Sequence, residues 1–372
     1  MRALRVLAAG VAAVLSPWQL AAQAPPPSPE AGHPAIEFHG LVSTSYSYNL
    51  NFPASRKNQL RVFDTDDAEA RLDVVEFVVQ RPVAAAWDAG FRVDVTAGAV
   101  SRFVASRGLF RDSAGEGQDI DLHQAFVSLL VPLGSGLHVD AGKFITGLGY
   151  EVIEGYDGWN DNATRSFLFG YAIPFTHTGL RVAYSVSPVL SAMGMVANGW
   201  DDVRDNNRGK TVHLQLGITP TSRLAILLNG IAGPEQDNDN RHVREVLDVV
   251  ATWKPSERLS LGFGGDWGRE EAAAPGGQTA DWRGVAGYLR FAPGPRFAVS
   301  LRAETFEDRD GARTGTAQTL AEFTLTPELR LGSSCVVRGD LRLDRSDHAI
   351  FEGRSGMRRT QPTVSVNALY HF

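Results

Sequence analysis

The sequence has a single cysteine and, after its first two dozen residues, no long apolar run. Cys335 alone cannot form an internal disulfide, and no Cys/His group has zinc-site spacing, so neither feature organises the fold. Its 42 acidic residues outnumber the 36 basic ones, which argues against the basic footprint of a nucleic-acid-binding protein. We therefore expect no metal site, no cofactor and no nucleic-acid partner.

The first 24 residues have the features of a secretory signal peptide. Arg2 and Arg5 precede the apolar run VLAAGVAAVL, and LAAQA supplies small residues for cleavage. A membrane anchor is the alternative, but a spanning helix needs about 20 apolar residues, roughly twice this run. We expect residues 1–24 to be removed on export and the proline-rich segment 25–34 to form a short, stiff leader.

From residue 35 to the end, apolar and polar residues alternate with a period of two. In GFRVDVTAGAV, for example, Phe91 and Val93 alternate with Arg92 and Asp94, which places the two sets on opposite faces of a strand. We count sixteen such strands, joined alternately by short turns and by long polar loops. The long loops are 51–67, 102–118, 147–176, 200–209, 233–242, 269–281, 307–316 and 345–359.

This pattern predicts an all-β fold: a transmembrane antiparallel up-and-down β-barrel of about 16 strands, with short periplasmic turns and long outer loops. Only a closed barrel leaves no unpaired backbone group in the hydrocarbon. A soluble β-sandwich or β-helix is the alternative, because sandwich strands also alternate, and counts of 14 or 18 strands stay open. Aromatic residues near strand ends, which suit the membrane interfaces, and charges at mid-strand favour the barrel.

Two strands carry more specific predictions. The last ten residues, TVSVNALYHF, form a closing strand whose expected partner is the first strand, IEFHGLVSTSY, and Tyr370 belongs to a periplasmic aromatic girdle. In the segment 70–81, Arg71 and Asp73 set one alternation and Glu76 sets another. The change of alternation predicts a β-bulge in this strand.

The segment 142–151, GKFITGLGYE, together with PFTHTG at 174–179 and NGW at 198–200, resembles the OmpL-like β-barrel porins, the porin-2 family. The resemblance covers most of the chain from residue 35, and its specific motifs lie between 120 and 200. It implies a channel in the outer membrane of a Gram-negative-type bacterium and supplies no substrate. It also implies recognition of Phe372 and Tyr370 by the barrel assembly machinery, and porins of this size commonly form homotrimers.

The loop 147–176 is the longest and is the candidate pore constriction, since in similar sixteen-stranded porins the third loop folds inward. Its acidic residues are Glu151, Glu154, Asp157 and Asp161. An acidic loop opposite a basic wall would set a transverse field across the pore; a solvated outer loop is the alternative. The predicted pore-wall residues are Arg92, Asp94, Arg181, Arg302, Glu304, Arg338, Asp340, Arg342 and Asp344.

The last four wall residues occupy every second position from 338 to 344 and so share one face. An arginine on the lipid face costs about 2–4 kcal/mol at the bilayer midplane, so this face must point into the lumen. The acidic segments 201–207 and 234–240 lack the ligand spacing of a calcium loop. They are expected to be solvated outer loops, and divalent-ion bridges to lipopolysaccharide stay open.

These features predict a porin that lets small hydrophilic solutes diffuse passively through a water-filled lumen, in contact with outer-membrane lipid and lipopolysaccharide. A substrate-specific, anion-preferring channel is one alternative, and a barrel enzyme or a structural outer-membrane protein is the other. A hydrolase would need a nucleophile with a histidine base. The sequence has no G-x-S-x-G motif and no serine at a fixed spacing from a strand histidine, so we predict no catalytic residue.

Overall fold

The computed structural model describes residues 34–111 and 115–372. The expected signal peptide and all but the last residue of the expected leader lie outside these residues. Within them, sixteen antiparallel strands form a closed barrel in which chain neighbours pair throughout. This confirms the predicted fold and strand count. No helix in the described ranges has the length and apolar character to cross a membrane.

The barrel strands have eight to sixteen residues each, and a two-stranded hairpin of residues 351–358 lies in the last outer loop. Two helices of one turn, α1 (Ser101–Val104) and α2 (Phe167–Tyr171), lie in the second and third outer loops. The strands are β1 (Glu37–Asn49), β2 (Glu69–Arg81), β3 (Ala89–Ala97), β4 (Ile120–Val131), β5 (Leu137–Ile145), β6 (Thr176–Ser185), β7 (Leu190–Ala197), β8 (Thr211–Thr221), β9 (Leu224–Pro234), β10 (Val243–Ser256), β11 (Leu259–Ala274), β12 (Gln278–Phe291), β13 (Phe297–Asp308), β14 (Gln318–Leu331), β15 (Cys335–Ser346), β16 (Phe351–Gly353), β17 (Gly356–Arg358) and β18 (Thr360–His371).

The faces of the strands are divided as a membrane barrel requires. Apolar side chains point outward, and Leu214, Leu247 and Val127 are each more than half exposed. Charged side chains such as Arg302 and Asp344 point inward and are fully buried. A water-soluble protein would show the opposite arrangement, so the outer face is suited to lipid.

The first and last strands close the barrel. Leu41 lies opposite His371, and Asn49 opposite Thr363, which confirms the predicted pairing. Beyond the strand, Phe372 exchanges two backbone hydrogen bonds with Gly40, at 3.1 and 3.0 Å. A Cβ on Gly40 would come within 2.6 Å of the Phe372 ring, so the absent side chain makes room for the ring.

The predicted bulge is confirmed in β2. Ser43 of β1 lies opposite Val74, whereas the next residue, Thr44, lies opposite Leu72. Asp73 is therefore the extra residue, and both Asp73 and Val74 are buried on the inner side. The extra residue resolves the two conflicting alternations of the sequence.

One predicted outer loop is wrong in its extent. The segment 269–281 was expected to be loop, but β11 runs to Ala274 and β12 starts at Gln278. Ala274 and Gln278 are paired across the hairpin, which leaves only the three residues 275–277 as a turn. The Glu- and Ala-rich segment carries no clear period-two signal, because a strand beyond the membrane needs no apolar outer face.

Candidate pore constriction

The third outer loop, here L3 (residues 146–175), lies inside the barrel. Glu151 forms an ion pair of 2.6 Å with Arg302 on β13, and Glu154 one of 2.8 Å with Arg338 on β15. Both arginines are fully buried on the inner face of the wall. L3 therefore crosses the lumen from its origin at β5 and β6, and the alternative of a solvated outer loop is wrong.

Two further acidic residues of L3 meet arginines of the wall. Asp157 pairs with Arg92 on β3 at 2.5 Å, and Asp161 pairs with Arg290 on β12 at 3.1 Å. Arg290 also binds Glu328 of β14 through two hydrogen bonds of 2.7 and 2.8 Å. The four acidic side chains of the loop thus each contact a different strand, and together they fix L3 around the inner circumference.

The pKa values of two of these carboxyl groups move in opposite directions. Burial alone would raise the pKa of Glu154. The attraction of Arg165 and Arg338 outweighs burial and lowers this pKa from the ordinary 4.5 to about 2. For Asp161, burial raises the pKa and outweighs the opposing attraction of Arg290. The charge of Glu154 therefore stabilises the docked loop, whereas the charge of Asp161 opposes its own burial.

Acidic residues of the wall bind the backbone of L3. Asp340 accepts hydrogen bonds of 2.7 Å from both the amide and the hydroxyl of Thr164. Glu304 accepts hydrogen bonds from the amides of Phe167 and Leu168, at 2.6 and 3.0 Å. These amides open α2, where the first N–H groups of a helix lack partners within it. The two wall carboxylates therefore hold the middle of L3 by its main chain.

The remaining predicted wall residues form contacts of other kinds. Arg342 pairs with Asp344 at 2.7 Å and donates to the backbone carbonyl of Arg165 in L3. Asp344 also pairs at 2.6 Å with Arg61 of the first outer loop, here L1 (residues 50–68). The wall at β15 therefore binds two loops at once.

Asp94 and Arg181 are paired within the wall. Asp94 lies 2.8 Å from Arg92, two residues earlier on the same strand. The ion pair found for Arg181 is with Asp140 on β5, at 2.7 Å, and its guanidinium lies 4.3 Å from the centre of the Phe144 ring. The ion pairs of Asp94 and Arg181 therefore connect residues within the barrel wall.

An apolar cluster fills the outer part of the lumen. Phe63 of L1 packs against Phe169 and Phe175 of L3, with ring centres 5.8 and 5.5 Å apart. Trp282 of β12 is fully buried and donates a 3.2 Å hydrogen bond to the carbonyl of Ala172. These side chains form a packed apolar core inside the outer part of the barrel.

Tyr150 of L3 occupies a slot in the wall. Its ring stacks on Tyr288 with centres 4.0 Å apart, and a Cβ on Gly262 would come within 2.3 Å of it. Burial raises the pKa of the Tyr150 hydroxyl. Because only glycine leaves room at position 262, β11 accommodates the loop by lacking a side chain there.

The expected transverse field takes a different form. The acidic loop and the basic wall do face each other, but their charges meet in direct ion pairs of about 2.5 to 3.1 Å. Each pair neutralises itself locally, so the charges hold the loop in place more than they polarise an open gap.

Several residues that build this site were not predicted from the sequence, among them Arg290, Arg61 and Phe63. Arg290 follows the period-two pattern of β12, in step with Tyr288, and could have been found by that signal. Arg61 and Phe63 lie in L1, which has no periodicity to show which residues turn inward. Their contacts depend on the course of the loop in three dimensions.

A closed sixteen-stranded barrel with an apolar outer face and a loop folded into its lumen defines an outer-membrane channel of the porin type. The family model of the OmpL-like β-barrel porins, porin-2, matches residues 35–372. The chain belongs to this family and is an outer-membrane porin. No curated protein matches the chain in sequence.

Solved porin structures share the fold at low sequence identity. The outer-membrane channel DcaP of Acinetobacter baumannii has 11% identity and a TM-score of 0.62, covering 94% of this chain and 100% of its own. The anion-selective porin of Comamonas acidovorans has 11% identity and a TM-score of 0.58, with 91% and 99% covered. In vitro folded OmpT of Vibrio cholerae, in a trimer form, has 9% identity and a TM-score of 0.59, with 91% and 99% covered.

Proposed function

We propose that the chain is a narrow porin, through which small hydrophilic solutes diffuse passively and whose lumen is constricted by L3. The observation that carries this proposal is the attachment of L3 to the wall. The ion pairs Glu151–Arg302 and Glu154–Arg338 hold the loop against β13 and β15, across the lumen from its origin at β5 and β6. A loop fixed in this way sets the size of the solutes that pass.

The filling of the lumen supports a pore narrower than that of an open sixteen-stranded barrel. The wall arginines Arg302, Arg338 and Arg342 have almost no contact with solvent because L3 covers them. Above them, the aromatic side chains of L1 and L3 pack together. Solutes must therefore use the polar gaps that the loops leave along the wall.

The ion pairs also bear on the alternative of an anion-preferring channel. Such a channel needs basic side chains free to attract anions. Here Arg92, Arg302 and Arg338 each have a carboxylate partner within 2.8 Å. We therefore propose weak ion selectivity and a transport role without catalysis.

The outer-membrane location of the barrel determines the export and assembly partners that we propose. We propose export by cleavage of the N-terminal signal peptide and insertion by the barrel assembly machinery, with Phe372 as its recognition element. The exchange of hydrogen bonds between Phe372 and Gly40 supports a second role of this residue in barrel closure. A homotrimer in contact with lipopolysaccharide is proposed from the likeness to trimeric OmpT.

Reconstitution of the purified protein into a planar bilayer tests the proposal. We expect stepwise conductance with little preference between K⁺ and Cl⁻. Absence of conductance from a correctly folded protein, together with lipase or protease activity, would contradict the proposal and favour a barrel enzyme. Chemical crosslinking in detergent tests the homotrimer separately.

A further inference from the structure

Two cavities lie along the inner face of the barrel next to β1, β2 and β3. The outer cavity, of about 40 Å³, lies between β1, β2, β18 and the loops L1 and L3. The periplasmic cavity, of about 260 Å³, borders the turn between β2 and β3. Glu154 lines the first cavity, and Tyr156 and Asp157 line the second. The two cavities therefore lie on opposite sides of the L3 segment 154–157.

Small side chains create the outer cavity. The inner face of β1 presents Ser43, Ser45 and Ser47 in succession, and β18 adds Ser365. Other parts of the inner face carry large side chains, such as Trp282, that pack against the loops. Serine fills too little volume to reach L3, so a polar gap remains on this side of the lumen. A cavity of this size has room for a few water molecules.

Glu76 separates the two cavities. On β2, Asp73 lines the outer cavity, Gln80 lines the periplasmic one, and Glu76 lies between them. Its carboxylate accepts a 2.6 Å hydrogen bond from the amide of Tyr156 in L3. A Cβ on Gly155 would come within 2.7 Å of this carboxylate. One side chain and one peptide group thus meet between the two cavities.

The charges around the outer cavity are balanced. Asp73 pairs with Arg71 at 3.0 Å, and Glu154 pairs with Arg165 at 3.2 Å. Three buried polar atoms at its lining residues have no hydrogen-bond partner among the described residues: Nε of Arg71, Nε of Arg165 and Oγ of Ser365. All three can donate a hydrogen bond. The site therefore suits a solute that carries acceptor oxygens and no net charge.

We propose that solutes cross the barrel along β1 and β2, through the serine-lined outer cavity and past Glu76 into the periplasmic cavity, and that this route carries small ions and, among organic solutes, favours small uncharged molecules with acceptor oxygens, of the size of glycerol. The route rests on the proposed porin function and specifies its path. It makes Glu76 and the three serines of β1 the residues that determine specificity.

Cysteine modification tests the route. In a Cys335→Ser background, Ser45→Cys and the matched control Ser300→Cys are each reconstituted and treated with a negatively charged methanethiosulfonate. Ser300 is a buried serine on the inner face of β13, away from both cavities. We expect modification at position 45 to reduce single-channel conductance by about half or more, and no change at position 300.

A second pair of variants tests the contact between Glu76 and L3 and keeps the proposal falsifiable if the first pair folds poorly. Glu76→Ala removes the side chain, whereas Glu76→Gln retains an acceptor for the Tyr156 amide. We expect about twofold faster glycerol entry into vesicles for Glu76→Ala than for Glu76→Gln, since only the alanine widens the passage. Heat-modifiable migration on SDS gels confirms that each variant is folded.

The outcomes separate the route from the porin function itself. Conductance that falls on modification at position 300 but not at position 45 would overturn the route while the porin function stands. Equal glycerol entry for the two Glu76 variants would do the same. Absence of conductance from the folded parent protein would overturn both.

Discussion

The substitution Glu154→Gln tests how strongly L3 is held in the lumen. Glu154 is almost completely buried between Arg338 and Arg165. Its pKa falls from the ordinary 4.5 to about 2, and each pKa unit corresponds to about 1.4 kcal/mol, so its charge stabilises the docked loop by about 3 kcal/mol. Glutamine removes this charge, so the buried Arg338 and Arg165 lose their ion pairs with residue 154. We expect the population of undocked loop to rise by about a hundredfold.

Single-channel recording measures this effect, because an undocked loop leaves a wider and noisier pore. The matched control is Asp161→Asn, which removes another acidic side chain of the same loop. The pKa of Asp161 is raised by burial despite the nearby Arg290, so loss of its charge costs the docked loop little. We expect larger and more variable conductance steps for Glu154→Gln and nearly unchanged steps for Asp161→Asn.

The pKa of Glu154 also predicts how the parent channel responds to pH. Because the pKa of Glu154 is lowered in the folded protein, its stabilising contribution is complete above 4.5 and is lost as the pH falls towards about 2. The parent channel should therefore keep its small steps on mild acidification. If Glu154→Gln has the parent's conductance and the parent's midpoint of urea unfolding, the ion pair does not hold the loop.

Three further predictions follow from the contacts. Gly262→Val should displace Tyr150 from its slot and increase conductance, whereas Gly287→Val, where a Cβ meets open space, should leave it unchanged; equal effects would show that the slot does not position L3. Deletion of Phe372 should lower the yield of inserted barrel more than the conductance of the barrels that do insert, as measured by outer-membrane fractionation and bilayer recording. Gly40→Leu should reduce insertion in the same assay, because a Cβ there meets the Phe372 ring at 2.6 Å, and normal insertion would contradict this packing.

The barrel could be predicted from the sequence because strand periodicity is local. Alternation assigns each strand residue to lipid or lumen, and the mixed alternation around Asp73 located the bulge in β2. Closure of the barrel then followed from the need to pair both edges, and β1 with β18 confirms it. The segment 269–281 was misjudged because a strand that extends beyond the lipid has no apolar face to reveal it.

The constriction could be predicted only in part. The sequence shows the acidic residues of the loop and the arginines of the wall. It does not show which acidic residue pairs with which arginine. Glu154 and Arg338 are 184 positions apart in the chain, and no local pattern specifies such a contact. The slot for Tyr150 at Gly262 and the entry of Arg61 from L1 depend on loop shape, which periodicity does not describe.

Solute exclusion tests the central claim most directly, namely that L3 fixed across the lumen makes this porin narrow. Vesicles containing the purified protein are mixed with isotonic glycerol, a monosaccharide or a disaccharide, and swelling is followed by light scattering. We expect rapid entry of glycerol, slow entry of the monosaccharide and exclusion of the disaccharide. Entry of the disaccharide at a rate close to that of glycerol would contradict it.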